Sequence, residues 1–135
     1  DKFIGDAIMV MFGAPETLSA REQANRATAC AKDMQAAMSL IAKGWEPRNA
    51  GHLEMRIGIH QGEAVVGHFG SDKRSDYTSI GPTVNMASRI ESACQPGDIY
   101  ISEVVSRLLP SAQSQGIGTF EFKGIEGQQS LFKLI

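Results

Sequence analysis

The sequence has little of what marks nucleic-acid-binding, disulfide-stabilised or membrane-spanning proteins. Its net charge is only -2, its pI is about 5.9, and its basic residues form no dense cluster. Binding to nucleic acid needs such a cluster, so we expect no nucleic-acid partner. No apolar run approaches the roughly 20 residues that a helix needs to cross a bilayer, so we expect no membrane contact by this domain.

Cysteine and histidine are too sparse to indicate a disulfide framework or a metal centre. Cys30 and Cys94 are the two cysteines, and both fall in helical patterns, which favours packed thiols in a reducing compartment. We therefore expect a cytoplasmic domain. His52, His60 and His68 lack acidic or thiol partners at metal-site spacing, so we assign them no zinc or catalytic role.

The length of 135 residues predicts one domain with a single core. We expect residues 1–135 to belong to that domain. The first residues already have the pattern of a strand interior and its turn, D-K-F-I-G-D. We therefore also expect the numbering to begin inside the domain.

The first half of the chain is predicted to form a hairpin, a long helix and a second hairpin. The β-prone residues 2–12 make two strands about Gly5-Asp6, a pair that suits a tight turn. Apolar residues at helical spacing predict one amphipathic helix from Leu18 to Lys43. Residues 53–60 alternate between apolar and polar as a half-buried strand does, and we expect residues 63–69 to return as its hairpin partner.

The second half is predicted to alternate strands with helices. A strand at 77–80 leads into a further helix, after which come a strand at 98–102 and a short helix at 103–109. A closing strand pair is predicted at 120–123 and 131–134. Hairpins mixed with crossover helices predict an α+β fold, ferredoxin-like or palm-like, with helices packed on one side of a mostly antiparallel sheet.

Asn85 and Arg89 stand four residues apart at the start of the helix that follows residue 81, so they share one face of it. Pro82 suits the first helical position. Backbone N–H groups at a helix N-terminus favour an anion, so an amide and a guanidinium on that face are typical of a phosphate-handling site. Two solvated surface residues would show the same spacing, and the spacing alone does not separate these readings.

A carboxylate at a hairpin tip, Asp6 after Gly5, is well placed to hold a divalent cation. Aspartate is also common in such turns for its turn chemistry alone. The wider motif context has to separate the two explanations.

Three longer motifs supply that context. They read K-F-I-G-D-A-I-M-V-M-F-G-A-P, R-I-G-I-H-Q-G-E-A-V-V-G and Y-T-S-I-G-P-T-V-N-M-A-S-R-I-E. In this order they resemble the catalytic domain of class III nucleotidyl cyclases, the family of adenylyl and guanylyl cyclases, over the whole chain. The resemblance implies the cyclase homology fold without its first strand and the helices that follow it, which would precede Lys2.

The resemblance implies catalytic roles for three residues. Asp6 is similar to the second of two aspartates that bind two Mg²⁺ or Mn²⁺ ions per active site, and the other aspartate is expected upstream of this chain. Asn85 is similar to the asparagine that orients the ribose. Arg89 is similar to the arginine that stabilises negative charge on the α-phosphate in the transition state.

Three further residues match substrate-binding positions of the family. Lys2 and Thr78 match the purine-reading pair of the adenylyl type, because an ammonium can donate to adenine N1 and a hydroxyl can accept from the N6 amino group. Lys123, in F-E-F-K-G, matches the lysine that grips the terminal phosphates, although a lysine in an edge hairpin also serves solubility. Lys73 or Arg74 aligns with a further phosphate-side basic residue.

The family acts as a head-to-tail dimer whose active sites lie at the interface. One subunit supplies the metal-binding aspartates and the other supplies the asparagine and the arginine. This chain carries residues of both kinds, Asp6 together with Asn85 and Arg89, so the resemblance implies a homodimer with two equivalent sites.

The leading hypothesis is an adenylyl cyclase that converts ATP to 3′,5′-cyclic AMP and pyrophosphate by two-metal catalysis at a dimer interface. Two alternatives stay open. One is a guanylyl cyclase, which Lys2 and Thr78 disfavour. The other is a catalytically silent cyclase fold that binds nucleotide or dimerises to regulate attached domains.

Overall fold

The computed structural model describes residues 2–4, 7–13, 17–45, 54–63, 65–69 and 76–135, with the backbone alone at 2–4, 42–45, 65–69 and 76–80. Strands and helices alternate along these residues. In chain order they are β1 (Lys2–Ile4), β2 (Ala7–Met9), α1 (Ala20–Trp45), β3 (Ile57–Ile59), β4 (Val65–Phe69), β5 (Asp76–Ile80), α2 (Pro82–Ala93), β6 (Ile99–Ser102), α3 (Glu103–Arg107), β7 (Ser114–Glu121) and β8 (Gln128–Leu134).

A four-stranded sheet organises the described fold, in the order β3-β6-β8-β7. β8 pairs antiparallel with both β6 and β7, whereas β3 pairs parallel with β6. Two further antiparallel ladders join β1 to β2 and β4 to β5. A mostly antiparallel sheet with helices packed on it confirms the predicted α+β class.

Helices cover both faces of the sheet, which corrects the expectation that they lie on one side. All four residues of β6 are buried. Ile99 and Ile101 join one buried cluster with residues of α1 and α3, whereas Tyr100 joins a second cluster with residues of α2. Because successive strand residues point to opposite faces, α2 lies on one face and α1 and α3 lie on the other.

The second cluster holds α2 on the sheet and therefore determines where the candidate site lies. We call it the α2 cluster, and its buried members are Met86, Ile90, Cys94, Tyr100 and Leu131. Ile90 has no exposed surface. Complete burial of such a side chain contributes roughly 1.5–3 kcal/mol.

Most predicted elements are confirmed within a few residues. α1 extends from Ala20 to Trp45, against the predicted 18–43, and β2 ends at Met9, short of the predicted residue 12. Among the described residues, no helix combines the length and apolar character that a bilayer crossing requires. Cys30 and Cys94 are free thiols, as expected.

Two strand predictions differ from the structure. The predicted hairpin between 53–60 and 63–69 is not among the described ladders, in which β3 pairs with β6 and β4 pairs with β5. Alternating polarity specifies which face a residue occupies and not which strand pairs with it. The last predicted strand pair is also longer, because β7 begins at Ser114 and ends at Glu121, leaving Lys123 in the connection to β8.

Candidate active site

The start of α2 is set by Gly81 and Pro82, whose backbone preferences favour the change from strand to helix. Gly81 precedes the helix with a φ of 121°, a left-handed value that glycine adopts without penalty. Pro82 occupies the first helical positions, where its missing N–H group costs nothing. The Asn85 N–H then donates to the Gly81 carbonyl at 3.1 Å, which closes the first turn.

Contacts with residues 56–63 fix α2 at both ends. Near its C-terminus, a Cβ atom on Gly58 would lie 2.4 Å from the backbone nitrogen of Glu91, so only glycine permits this approach of β3 to the helix. Arg56 forms an ion pair with the same Glu91, with 3.6 Å between Nη2 and Oε1. Near the N-terminus, the Thr83 hydroxyl donates to the Glu63 carbonyl.

The two faces of α2 differ in burial as the helical period requires. Met86 and Ile90 are buried in the α2 cluster. Asn85, Ser88 and Arg89 are exposed, and their spacing of three and four residues sets them on one face. The side chains predicted to handle a phosphate therefore point away from the core.

Lys123 reaches the same region from the connection between β7 and β8. The Ile125 N–H donates to the Phe122 carbonyl at 3.1 Å, which closes a β-turn over residues 122–125. Gly124, at the third position of this turn, has a φ of 82°. That value is typical of a type II turn. Lys123 occupies the second position of the turn and is exposed.

Asn85, Arg89 and Lys123 line one open groove of about 310 Å³. Ser88, Gly124 and Ile125 complete its lining. The lining contains two cations and no carboxylate. Among the described residues, neither Arg89 nor Lys123 has an ion-pair partner, so both charges are available to an anion, and a guanidinium and an ammonium are well suited to phosphate oxygens.

The structure thus brings three of the six predicted site residues together. Lys2 lies on β1 opposite Met9, and Thr78 lies on β5 opposite Gly67. The side chains of Lys2 and Thr78 are outside the described set. Asp6 is outside the described residues altogether, as are Lys73 and Arg74.

Ser88, Gly124 and Ile125 were not predicted as parts of the site. The spacing offered a signal for Ser88, because a residue three positions after Asn85 must share its face. Gly124 and Ile125 follow Lys123 directly, but only the turn geometry shows that they face α2.

A second polar pair lies at the ends of β3 and β6. His60 Nδ1 and the Ser102 hydroxyl are 2.8 Å apart, and Ser102 is buried. Burial lowers the pKa of His60 below its ordinary value of 6.5, because an apolar surrounding disfavours the charged imidazolium. Burial likewise raises the pKa of the Cys94 thiol to about 11, so this cysteine is an inert member of the α2 cluster.

The chemistry of Asp6 fits a divalent cation, because Mg²⁺ and Mn²⁺ prefer carboxylate oxygens. Ile4 pairs with Ala7, so Gly5 and Asp6 span the link between two paired strands. No group of three or more candidate metal ligands occurs within the described part of the chain.

The fold and the groove together define an α+β domain suited to a phosphorylated ligand. A family model for the adenylate and guanylate cyclase catalytic domain matches residues 2–135. The chain therefore belongs to the adenylate and guanylate cyclase catalytic domain family.

Solved structures of both cyclase types are similar to this chain. The crystal structure of the adenylyl cyclase CyaB from P. aeruginosa has a TM-score of 0.94 and 36% identity, covering 100% of this chain and 70% of that one. The crystal structure of the guanylyl cyclase Cya2 has a TM-score of 0.88 and the same 36% identity, covering 99% of this chain and 68% of that one. Overall identity therefore does not separate ATP from GTP as substrate.

Adenylate cyclase 1 of Rhizobium meliloti (strain 1021) is a curated relative that is 27% identical over 137 residues. The match covers 99% of this chain but 20% of that protein. The chain thus spans about a fifth of that relative's length.

Proposed function

We propose that this domain, within a longer protein, converts ATP to 3′,5′-cyclic AMP and pyrophosphate. The observation that carries the proposal is the convergence of Asn85, Arg89 and Lys123 on one groove from two separate elements. In the reaction the ribose 3′-oxygen forms a bond to the α-phosphorus, the bond from that phosphorus to the pyrophosphate oxygen breaks, and the 3′-hydroxyl proton is removed.

Each of the three groove residues has a role that its chemistry suits. The Arg89 guanidinium can donate two parallel hydrogen bonds to oxygens of the α-phosphate as negative charge builds there. The Asn85 carboxamide, one helical turn earlier, can donate and accept hydrogen bonds and so orient the ribose. The Lys123 ammonium can hold the departing phosphates by charge alone.

Base selection is assigned to Lys2 and Thr78. A lysine donor and a threonine acceptor match adenine N1 and its N6 amino group, whereas guanine presents a donor at N1 and an acceptor at O6. A mismatch would leave buried polar groups without partners, which is why hydrogen-bonding sites discriminate strongly. These two residues support ATP over GTP where overall identity does not decide.

Two Mg²⁺ or Mn²⁺ ions per site belong to the proposal, held by Asp6 and by a second aspartate that the family resemblance locates before Lys2. When bound, such ions would neutralise phosphate charge and lower the pKa of the 3′-hydroxyl. Asn85 and Arg89 would face Asp6 of a second copy in a head-to-tail homodimer. We assign the domain to the cytoplasm, which fits the free thiols of Cys30 and Cys94.

The test is a product assay on the full-length parent protein. Equimolar ATP and GTP are supplied with Mg²⁺ or Mn²⁺, and the cyclic products are separated and quantified. We expect cyclic AMP to predominate and chelation of the cations to abolish it. Predominant cyclic GMP would identify a guanylyl cyclase, and nucleotide binding without any cyclic product would identify a silent binding or dimerisation module.

A further inference from the structure

The turn that carries Lys123 is attached to the body of the domain through two apolar side chains, Phe122 and Ile125, and only Ile125 also lines the groove. Within residues 122–127 only Phe122 and Ile125 are partly buried. The ring of Phe122, just after β7, stacks on that of Phe120 with centroids 6.1 Å apart, and Phe122 also packs against the α2 cluster. Ile125 packs against the α2 cluster and also lines the groove.

Ile125 therefore links α2 to the turn that carries Lys123, two elements that are far apart in the sequence. Its side chain contacts the cluster to which α2 contributes Met86 and Ile90. Its N–H group closes the turn that presents Lys123. A change in how Ile125 packs must move the turn relative to α2, because the residue belongs to both.

We propose that Ile125 is a positioning residue that sets the reach of the Lys123 ammonium toward a phosphate bound beside Arg89. The proposal rests on the proposed function for the identity of the ligand as a nucleoside triphosphate. Lysine carries its ammonium on a long stem, and the backbone position from which the stem starts sets which phosphate oxygens the ammonium can reach. An anchored turn reduces the conformational freedom that binding would otherwise remove.

The chain offers a matched control for ordinary core packing. Ile117 is the same residue type, packs on the same α2 cluster from β7, and does not line the groove. Ile117→Ala removes as many atoms from the cluster as Ile125→Ala. A purely structural role for Ile125 predicts the same functional result for both variants.

The experiment compares these variants in the full-length parent, using inorganic pyrophosphate as the binding probe in calorimetry and ATP as the substrate in turnover assays. We expect both variants to melt at a lower temperature. We expect only Ile125→Ala to weaken pyrophosphate binding and raise the KM for ATP, each by about threefold to tenfold, with little change in kcat. Ile125→Val should restore most of the affinity.

A double variant tests whether Ile125 acts through Lys123. Ile125→Ala should add nothing to the loss of pyrophosphate affinity already caused by Lys123→Met, because the group it positions is gone. Additive losses in the double variant, or equal losses in the Ile125→Ala and Ile117→Ala variants, would overturn the proposal.

The two readouts separate this inference from the proposed function. If the parent forms no cyclic nucleotide but binds pyrophosphate, and only Ile125→Ala weakens that binding, the positioning role stands and the cyclase assignment fails. If the parent forms cyclic AMP and Ile125→Ala matches Ile117→Ala, the positioning role fails alone. A parent that does not bind pyrophosphate overturns the positioning role.

Discussion

Gly58 of β3 approaches α2 so closely that an added Cβ atom would lie 2.4 Å from the backbone nitrogen of Glu91 and 2.8 Å from its Cα atom. The Ala87 carbonyl oxygen would lie 2.9 Å away. Backbone atoms cannot escape by rotating a side chain, so any larger residue at position 58 must shift the helix that carries Asn85 and Arg89.

Gly58→Ala should therefore lower both stability and catalysis. Overpacking of this kind costs roughly 1–3 kcal/mol, measured as a loss in the free energy of unfolding by urea. Gly116→Ala is the control, because its Cβ would meet Phe132 at an ordinary 3.6 Å. Equal stability for the two variants would contradict the close approach of β3 to α2.

Arg89→Ala in the full-length parent should reduce kcat about 10²-fold to 10³-fold while nucleotide affinity changes much less. The reason is that Arg89 is assigned to charge that develops only in the transition state. Arg26→Ala is a suitable control, since Arg26 is exposed on α1 and pairs with Glu22 at 2.8 Å. Unchanged turnover in the Arg89 variant would contradict the assignment of Arg89 to transition-state stabilisation.

Lys2→Glu combined with Thr78→Cys should raise the use of GTP relative to ATP. An acceptor in place of the Lys2 ammonium suits guanine N1–H and leaves adenine N1 without a donor. The measurement is the ratio of kcat/KM for the two nucleotides. A ratio that does not move would refute the assignment of these residues to base recognition.

Gly124→Ala should weaken phosphate binding through the backbone alone. The φ of 82° at Gly124 costs a residue with a side chain roughly 1–2 kcal/mol, and no atom lies within 4 Å of the added Cβ. Gly127→Ala is a matched control, because Gly127 has a φ of 80°, equally open space and no part in the groove. The KM for ATP should rise only for Gly124→Ala, and an equal rise in both variants would count against the turn's role.

The buried His60 should make the domain sensitive to mild acid. Its folded pKa is depressed, so the unfolded chain binds the proton more tightly and stability falls as pH drops below about 6.5 toward the folded pKa. His60→Gln removes this titration, and its melting temperature should depend less on pH between about 7 and 5. If the melting temperatures of the parent and the variant depend on pH in the same way, His60 is not the cause of the acid sensitivity.

Local patterns predicted the helices better than they predicted strand partners. Apolar spacing located α1 and α2, and Pro82 marked the start of α2 because its effect is confined to neighbouring residues. The parallel pairing of β3 with β6 was not predicted. The alternation of apolar and polar residues along β3 does not identify a partner strand some 40 residues away. The first half of β7 was missed because glycine is rare in strands, and here Gly116 and Gly118 flank a β-bulge.

The sequence predicted that Asn85 and Arg89 share a face of α2, because that relationship lies within one helix. Their spacing did not separate a phosphate site from a solvated surface, and the roles of Asn85, Arg89 and Lys123 all come from the family resemblance. Ile125 reads in the sequence as an ordinary loop residue. Its contact with the α2 cluster appears only when the sheet places the β7–β8 connection beside the helix.

The groove has two walls of different origin. The wall of α2 is fixed by Gly58, Arg56 and Thr83, whereas the wall of Lys123 belongs to a short connection at the sheet's outer strand. Changes at the exposed residues of that connection can alter how far the groove extends while Phe122 and Ile125 keep their contacts with the α2 cluster. Ligand selectivity in an engineered variant could therefore be adjusted by changing the length of the chain between Ile125 and Gln128.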